Sequence, residues 1–172
     1  MLYVNKIATA IIIILSMTSL ANAEQGFGMQ ADMIGQGLSW RLLGPRGAGI
    51  ELVARGNVNP GSEELEYYAR GELRLLKFFN PEGKGRIYIG IGTGYFRSHE
   101  TNYYYGPDST SLDTDWGISS AVILGLDLVL LQLDDGSGIT VLPELQIGYY
   151  SFDYRTEPWI GPGAGIGIRY IW

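Results

Sequence analysis

The only histidine of the 172-residue chain, His99, lies in the segment YFRSHETNYYYG, directly between Ser98 and Glu100. A histidine that meets a hydroxyl and a carboxylate can serve as the general base of a nucleophilic site. Three further candidates follow closely in the sequence: Ser109, Ser111 and Asp113. We expect His99 to be a solvated residue at the base of a long loop, and catalysis at His99 is the alternative hypothesis.

Metal and cofactor chemistry has weaker support. The segment PDSTSLDTDW offers Asp108, Asp113 and Asp115, but their spacing is not that of a calcium loop and no glycine stands at the required turn. The glycine-rich GPGAGIG has neither the Walker lysine nor a following helix. The chain contains no cysteine, which excludes thiol catalysis, disulfides and cysteine-ligated metals. We therefore expect no cofactor and no metal site.

The net charge argues against a nucleic-acid-binding protein. Twelve basic residues stand against 18 acidic residues, which gives a net charge of −6. A chain without a basic patch does not attract the phosphate backbone. We expect no nucleic-acid partner.

The N-terminus has the pattern of a secretory signal peptide. Lys6 precedes an apolar run over residues 7–20, and the small residues Ala21-Asn22-Ala23 follow. The run is shorter than the roughly 20 apolar residues that a spanning helix needs. We expect cleavage after Ala23, so that residues 1–23 are a signal peptide and residues 24–172 form one domain; an uncleaved anchor is the alternative.

The rest of the chain alternates apolar and polar residues with period two, as in RIYIGIGTGYFR and ELEYYARGELRLL. Such alternation predicts β-strands, and no helical periodicity competes with it. The predicted strands cover residues 26–33, 36–43, 47–56, 63–78, 85–98, 115–132, 138–152 and 159–172. The stretch 26–43 also fits one bent strand.

The connections favour eight strands that close into a ring. Short turns at NPEGKG and DDGSG then share one end, and the long connection 99–114 lies at the other end, as is typical of bacterial outer-membrane barrels. The predicted fold is an all-β, antiparallel, up-and-down transmembrane β-barrel. Closure requires the strand at 159–172 to pair with the strand at 26–33.

The distribution of charge indicates which face is inside. A soluble lipocalin-type barrel is the alternative, but it would expose many lysines, whereas the domain has only Lys77 and Lys84, both beside a turn. The polar strand faces instead carry acids and arginines in near balance, which suits a closed interior filled by ion pairs rather than a pore. The predicted interior charges are Asp32, Arg41, Glu51, Arg55, Glu66, Arg70, Glu72, Arg74, Asp127, Glu144 and Arg169.

The apolar faces would then contact lipid, with aromatic residues near both ends. One predicted aromatic ring consists of Phe27, Trp40, Phe79, Tyr170 and Trp172. The other consists of Tyr67, Tyr95, Trp116, Tyr149 and Trp159.

These features together resemble the small outer-membrane β-barrel proteins typified by OmpX and the OmpA membrane domain. The resemblance rests on the glycine-spaced strands, on GIGTGYF and PELQIGYYSF, and on the aromatic terminus, where Gly167, Tyr170 and Trp172 resemble the signal read by the outer-membrane assembly machinery. It implies a bacterial outer-membrane location and a monomer. The implied partners are membrane lipid, lipopolysaccharide and that machinery.

The resemblance implies a location more firmly than an activity, because such folds host unrelated functions. We expect a non-enzymatic protein that anchors surface loops for interaction or supports the envelope. Its contact candidates toward an unknown surface ligand are Tyr103, Tyr104 and Tyr105, unless these extend the aromatic ring. The alternative is a lipid A-modifying enzyme with His99 at the outer rim, although the His-x-Ser order of the lipid A deacylase is absent.

Overall fold

The computed structural model describes residues 23–33, 35–59, 66–103, 110–153 and 158–172, and this part of the chain consists of strands and short connections. The eight strands are β1 (Glu24–Asp32), β2 (Gln36–Leu43), β3 (Ala48–Asn59), β4 (Glu66–Phe78), β5 (Gly85–Tyr103), β6 (Thr110–Gln132), β7 (Gly138–Phe152) and β8 (Trp159–Ile171). Residues 1–22 of the expected signal peptide lie outside the described residues. In the described part, no helix has the length and apolar character to cross a membrane.

The strands form one closed antiparallel barrel in sequence order. Strand β8 pairs with β1, so that Met29 lies opposite Ile168. Beyond the ladder, Gln25 and Trp172 exchange backbone hydrogen bonds of 3.0 and 2.9 Å. The predicted closure is confirmed, and it leaves no edge strand whose backbone groups lack partners.

Strands β1 and β2 are two separate strands, which decides the alternative left open by the sequence. The backbone N–H of Asp32 donates to the carbonyl of Gly35 at 2.9 Å. In return, the Gly35 N–H donates to the Asp32 carboxylate at 3.0 Å. An aspartate that accepts from the backbone three residues on stabilises a tight turn, and the turn reverses the chain here.

The barrel has two different ends. The connections at 44–47, 79–84 and 133–137 share one end, which we call the turn end, and two of them contain left-handed glycines, Gly47 and Gly136. In the last of these turns the hydroxyl and the backbone N–H of Ser137 donate to Asp135, and these bonds lower the pKa of the Asp135 carboxyl. Short, well-bonded turns keep this end compact.

The opposite end carries an extension that the sequence analysis did not predict. Residues 99–114 were expected to be a loop, but β5 continues to Tyr103 and β6 begins at Thr110. The last described β4 partner is Tyr67, opposite His99, so among the described residues 100–103 and 110–113 pair only with each other. We call these two stretches the ribbon. Their ladder needs only backbone groups, so it continues where apolar alternation has stopped.

The two faces of the barrel wall differ in polarity as predicted. Large apolar side chains on the outside are exposed, with Ile91 at 60% and Ile147 at 63%. Inward side chains are buried and include most of the charged residues of the strands. Since side chains alternate across a strand, this division follows directly from the period of two.

Candidate functional site

The barrel interior holds a cluster of charges, which we call the interior network. Its arginines are Arg41, Arg55, Arg70, Arg74, Arg86 and Arg169, all buried. Its acids are Asp32, Glu51, Glu72, Asp127 and Glu144, with Glu24 at the turn end. Arginine suits this position because its guanidinium can bind several carboxylates at once.

Glu51 lies at the centre of the interior network and is completely buried. Its carboxylate is 3.4 Å from Arg41 Nη2 and 3.5 Å from Arg74 Nη1, and it also binds Arg169. Gln30 donates a further hydrogen bond of 2.9 Å. Glu51 is the only carboxylate that pairs with Arg169 within the described residues. One acid therefore contacts an arginine from each of three strands, β2, β4 and β8.

Two more acids, Glu72 and Glu144, bind Arg74. Glu72 lies 3.2 Å from Arg74 Nε and 3.1 Å from Arg70 Nη2. Glu144 lies 2.9 Å from Arg74 Nη1 and accepts a hydrogen bond from the Tyr88 hydroxyl. Arg74 thus links β3, β4 and β7, and each of its partners has at least one other donor.

Toward the turn end, Asp127 binds two arginines, at 3.2 Å from Arg41 Nη1 and 2.7 Å from Arg86 Nη2. Arg86 also forms an ion pair with Glu24, with 2.6 Å between Arg86 Nη1 and Glu24 Oε2. The sequence analysis did not include Arg86 or Glu24. The signal for Arg86 was available, because it shares the strand face of Tyr88, which points inward.

Toward the ribbon end, Arg55 binds Asp32 and donates to the Gln30 side chain at 2.9 Å. Arg70 donates to the Tyr150 hydroxyl at 3.0 Å. Glu66, a further predicted interior charge, is paired through its backbone with Asn59, and its side chain is outside the described residues.

The prediction that Trp159 belongs to the lipid-facing aromatic ring is wrong. It has the inward parity of β8, and its ring lies 5.0 Å from that of Tyr150, whose side chain is buried. A Cβ on Gly161 would come within 2.2 Å of the Trp159 ring, so the indole covers that glycine at the mouth of the barrel. An aromatic residue near a strand end suits either face, and only the strand register decides between them.

Apolar residues also occupy the interior, which the sequence analysis did not state. They form a cluster that comprises Leu43, Leu76, Phe78, Tyr88, Ala121, Ile123 and Leu142. The guanidinium of Arg41 lies over the rings of Phe78 and Tyr88, at 5.1 and 4.9 Å from their centroids. Cations over aromatic faces are attracted by the ring quadrupole, so this cluster supports the network beside it.

Inward glycines make room for these rings. A Cβ on Gly125 would come within 2.1 Å of the Tyr88 ring. The hydroxyl of Tyr88 donates a hydrogen bond to Glu144, which holds the ring in place.

We predict that Gly125→Ala lowers the free energy of unfolding by about 1–3 kcal/mol, because the added methyl displaces the hydrogen-bonded, buried ring of Tyr88. Urea unfolding in lipid vesicles measures this. Gly71→Ala is the control, since its Cβ would meet nothing within 4 Å; equal losses would contradict the prediction.

The structure separates the residues of the enzyme hypothesis. His99 is half-buried and its ring stacks on Tyr67 at 5.5 Å, on the outer wall. Ser98 is 6% exposed and faces the interior, so the strand itself lies between the two side chains. Glu100, Ser111 and Asp113 belong to the ribbon backbone, and Ser109 is outside the described residues. The described residues contain no group of three potential metal ligands.

The remaining predicted residues lie at the two ends. Tyr103 ends β5 opposite Thr110, while Tyr104 and Tyr105 are outside the described residues. Gly167 is buried within β8 opposite Gln30, and at the turn end Tyr170 and Trp172 stack at 5.8 Å on the outer wall.

No protein-family model and no curated protein sequence matches the chain. Among solved structures, it is similar to the N-terminal β-barrel domain of Pseudomonas aeruginosa OprF, with a TM-score of 0.62 and 13% sequence identity. The match covers 88% of this chain and 98% of that domain. At this identity the likeness concerns the fold, and the chain is a closed eight-stranded barrel of the OprF N-terminal-domain type.

Proposed function

We propose that the chain is a non-enzymatic bacterial outer-membrane protein whose barrel holds the ribbon at the cell surface for interaction. The single observation that carries this proposal is the inverted polarity of a closed ring, with exposed aliphatic side chains outside and ion pairs inside. Only closed barrels and helices satisfy every backbone group in lipid. An apolar wall of this extent would be a liability in water.

The filled interior supports an anchoring role rather than transport. Buried arginines, acids and the apolar cluster occupy the cross-section at successive levels from Phe78 to Tyr150. An eight-stranded barrel is only just wide enough for its side chains to fill. We infer that the interior network rigidifies the wall.

The ribbon is the element that supports a surface interaction. Four residues of β5 continue beyond the last described β4 pair, which corresponds to about 13 Å of extended chain. Tyr103 at its tip is the described member of the tyrosine group, and tyrosine supplies contact area at low entropic cost. We propose a monomer that is exported by the signal peptide and inserted by the assembly machinery.

The opposite orientation of His99 and Ser98 supports the non-enzymatic assignment. Lipid A from cells that express the protein is expected to keep its mass. A mass change that disappears on His99→Ala would favour the enzyme instead.

We predict that external protease cleaves the chain in intact cells, and that cleavage maps to residues 100–113. The ribbon is expected to lie outside the membrane while the paired wall stays protected. Mass spectrometry of the fragments checks this, with a variant in which Asn-Gly replaces residues 100–113 as the uncleaved control. Both proteins should fractionate with the outer membrane and show heat-modifiable gel mobility. Recovery of the chain as a soluble periplasmic protein would overturn the proposal.

A further inference from the structure

One column of outward side chains on β5 differs from the rest of the outer wall. Thr93, Tyr95, Arg97 and His99 follow one another toward the ribbon end on the outer face, and Arg97 is exposed. Every other arginine of the described strands points into the interior, so Arg97 is the only strand arginine on the described outer wall. Within the described residues it has no carboxylate partner.

Below Arg97 the wall is indented. A groove of about 540 Å³ has the paired small residues Thr93 and Ser120 at its floor, with aliphatic walls that include Leu73, Ile91 and Val122. The Thr93 hydroxyl donates to the Ser119 carbonyl at 3.3 Å, so it leaves no unpaired donor toward lipid. The groove surface is therefore mostly apolar, with Ser120 as a second hydroxyl residue in its lining.

A second groove of about 550 Å³ adjoins the first and shares Leu73 and Thr93 with it. The small residues Ala54 and Gly71, paired across β3 and β4, lie along it. A Cβ built on Gly71 would meet nothing within 4 Å, so the wall has open space there. Together the two grooves are lined by residues of all eight strands, from Phe27 of β1 to Ile160 of β8, and Arg97 lies toward the ribbon end of β5, which lines both.

An aromatic pair marks the level of the membrane surface between cation and grooves. The rings of Tyr95 and Trp116 stack at 6.1 Å, and Trp116 is the β6 partner of Arg97. Aromatic residues concentrate at the headgroup level of a bilayer. Arg97 is four residues, or about 13 Å along the strand, beyond Thr93. The guanidinium thus reaches the headgroups while the grooves lie among the acyl chains.

We propose that this face is a binding site for the lipid A part of lipopolysaccharide, with a phosphate on Arg97 and acyl chains in the two grooves. The proposal rests on the proposed outer-membrane function, which places the ribbon end in the outer leaflet. A guanidinium binds phosphate through two parallel hydrogen bonds. Two adjoining grooves under one cation suit a lipid with many chains better than a lipid with two.

A third groove provides the matched control. It has a volume of about 520 Å³ and an apolar lining that includes Leu124, Leu145 and Ala164. On its strand β8, the described outward residues toward the ribbon end are Pro162 and Ile160, and neither carries a charge. Filling this groove should leave lipid A binding unchanged.

The test is native mass spectrometry of the folded, detergent-purified barrel titrated with lipid A or phosphatidylglycerol. We expect lipid A to bind the unaltered protein more tightly than phosphatidylglycerol. Arg97→Gln and Ser120→Leu should each weaken lipid A binding about tenfold, because one loses the charged hydrogen bonds and the other fills the groove. Ala164→Leu should bind as the unaltered protein does.

Several outcomes would overturn the site. Unchanged affinity in Arg97→Gln, or equal affinity for phosphatidylglycerol, would reject lipid A as the occupant. A dimer that forms without lipid and is lost in Ser120→Leu would show that a second copy fills the groove. Heat-modifiable mobility is measured for every variant beforehand, so that a failure to form a membrane barrel counts against the proposed function and not against the site.

Discussion

Glu51→Gln is expected to lower the free energy of unfolding by about 3–5 kcal/mol, the largest effect of any single interior substitution. Arg169 would lose its only carboxylate partner among the described residues and keep only Ser39, at 3.0 Å. An uncompensated charge inside a closed barrel cannot reach water. Urea unfolding of the protein in lipid vesicles, followed by tryptophan fluorescence, measures the change.

Two comparisons make this prediction specific. Arg70→Gln should cost only about 1–3 kcal/mol, since Glu72 keeps Arg74 at 3.2 Å and Arg55 at 3.9 Å. Combining Glu51→Gln with Arg169→Met should restore part of the loss, because the orphaned cation is removed as well. If Glu51→Gln costs no more than Arg70→Gln, Glu51 is not the centre of the network.

Ile91→Arg should lower the free energy of unfolding by about 2–4 kcal/mol in a bilayer. Ile91 is 60% exposed and lies midway along β5 between Ile87 at the turn end and the Tyr95 ring at the other. At the middle of the hydrocarbon layer a guanidinium has no water to solvate it. The same unfolding experiment in vesicles gives the magnitude.

Val58→Arg is the matched control, because Val58 is 56% exposed on the same outer wall but pairs with Tyr67 near the rim. Its expected cost is about 0–1 kcal/mol. Ile91 and Val58 have nearly equal exposure, so a difference between the unfolding free energies of the two variants would report their depth in the membrane. If both variants unfold at the same urea concentration, the outer wall does not contact lipid.

Much of the barrel could be predicted from alternation because a strand has only two faces. Once one apolar face is assigned to the outside, residues such as Arg41, Glu51 and Arg74 must point inward together. The same rule includes Arg86, because Arg86 shares the inward strand face of Tyr88. Turn residues and closure then led to eight strands and to the pairing of β1 with β8, both of which are confirmed.

The ends of strands could not be predicted in the same way. In residues 100–103 and 110–113 the sequence no longer alternates in polarity, although the backbone ladder continues to Tyr103 and Thr110. The orientation of Trp159 could not be predicted for the same reason, since an aromatic side chain at the rim of the barrel can point inward or outward. Where both faces of a strand have similar surroundings, the type of a residue does not indicate whether its side chain points inward or outward.

The sequence by itself determined the strands and the two faces of their wall, because a repeat of two residues places alternate side chains on opposite faces, and the turns and closure then favoured eight strands. Only the tertiary structure decided the partners. Arg169 meets Glu51 across 118 positions of sequence, and Arg97 comes to stand above grooves that residues of neighbouring strands form. Partners across the barrel depend on strand register and closure, and these arise from the summed pairing of all eight strands rather than from any one of them.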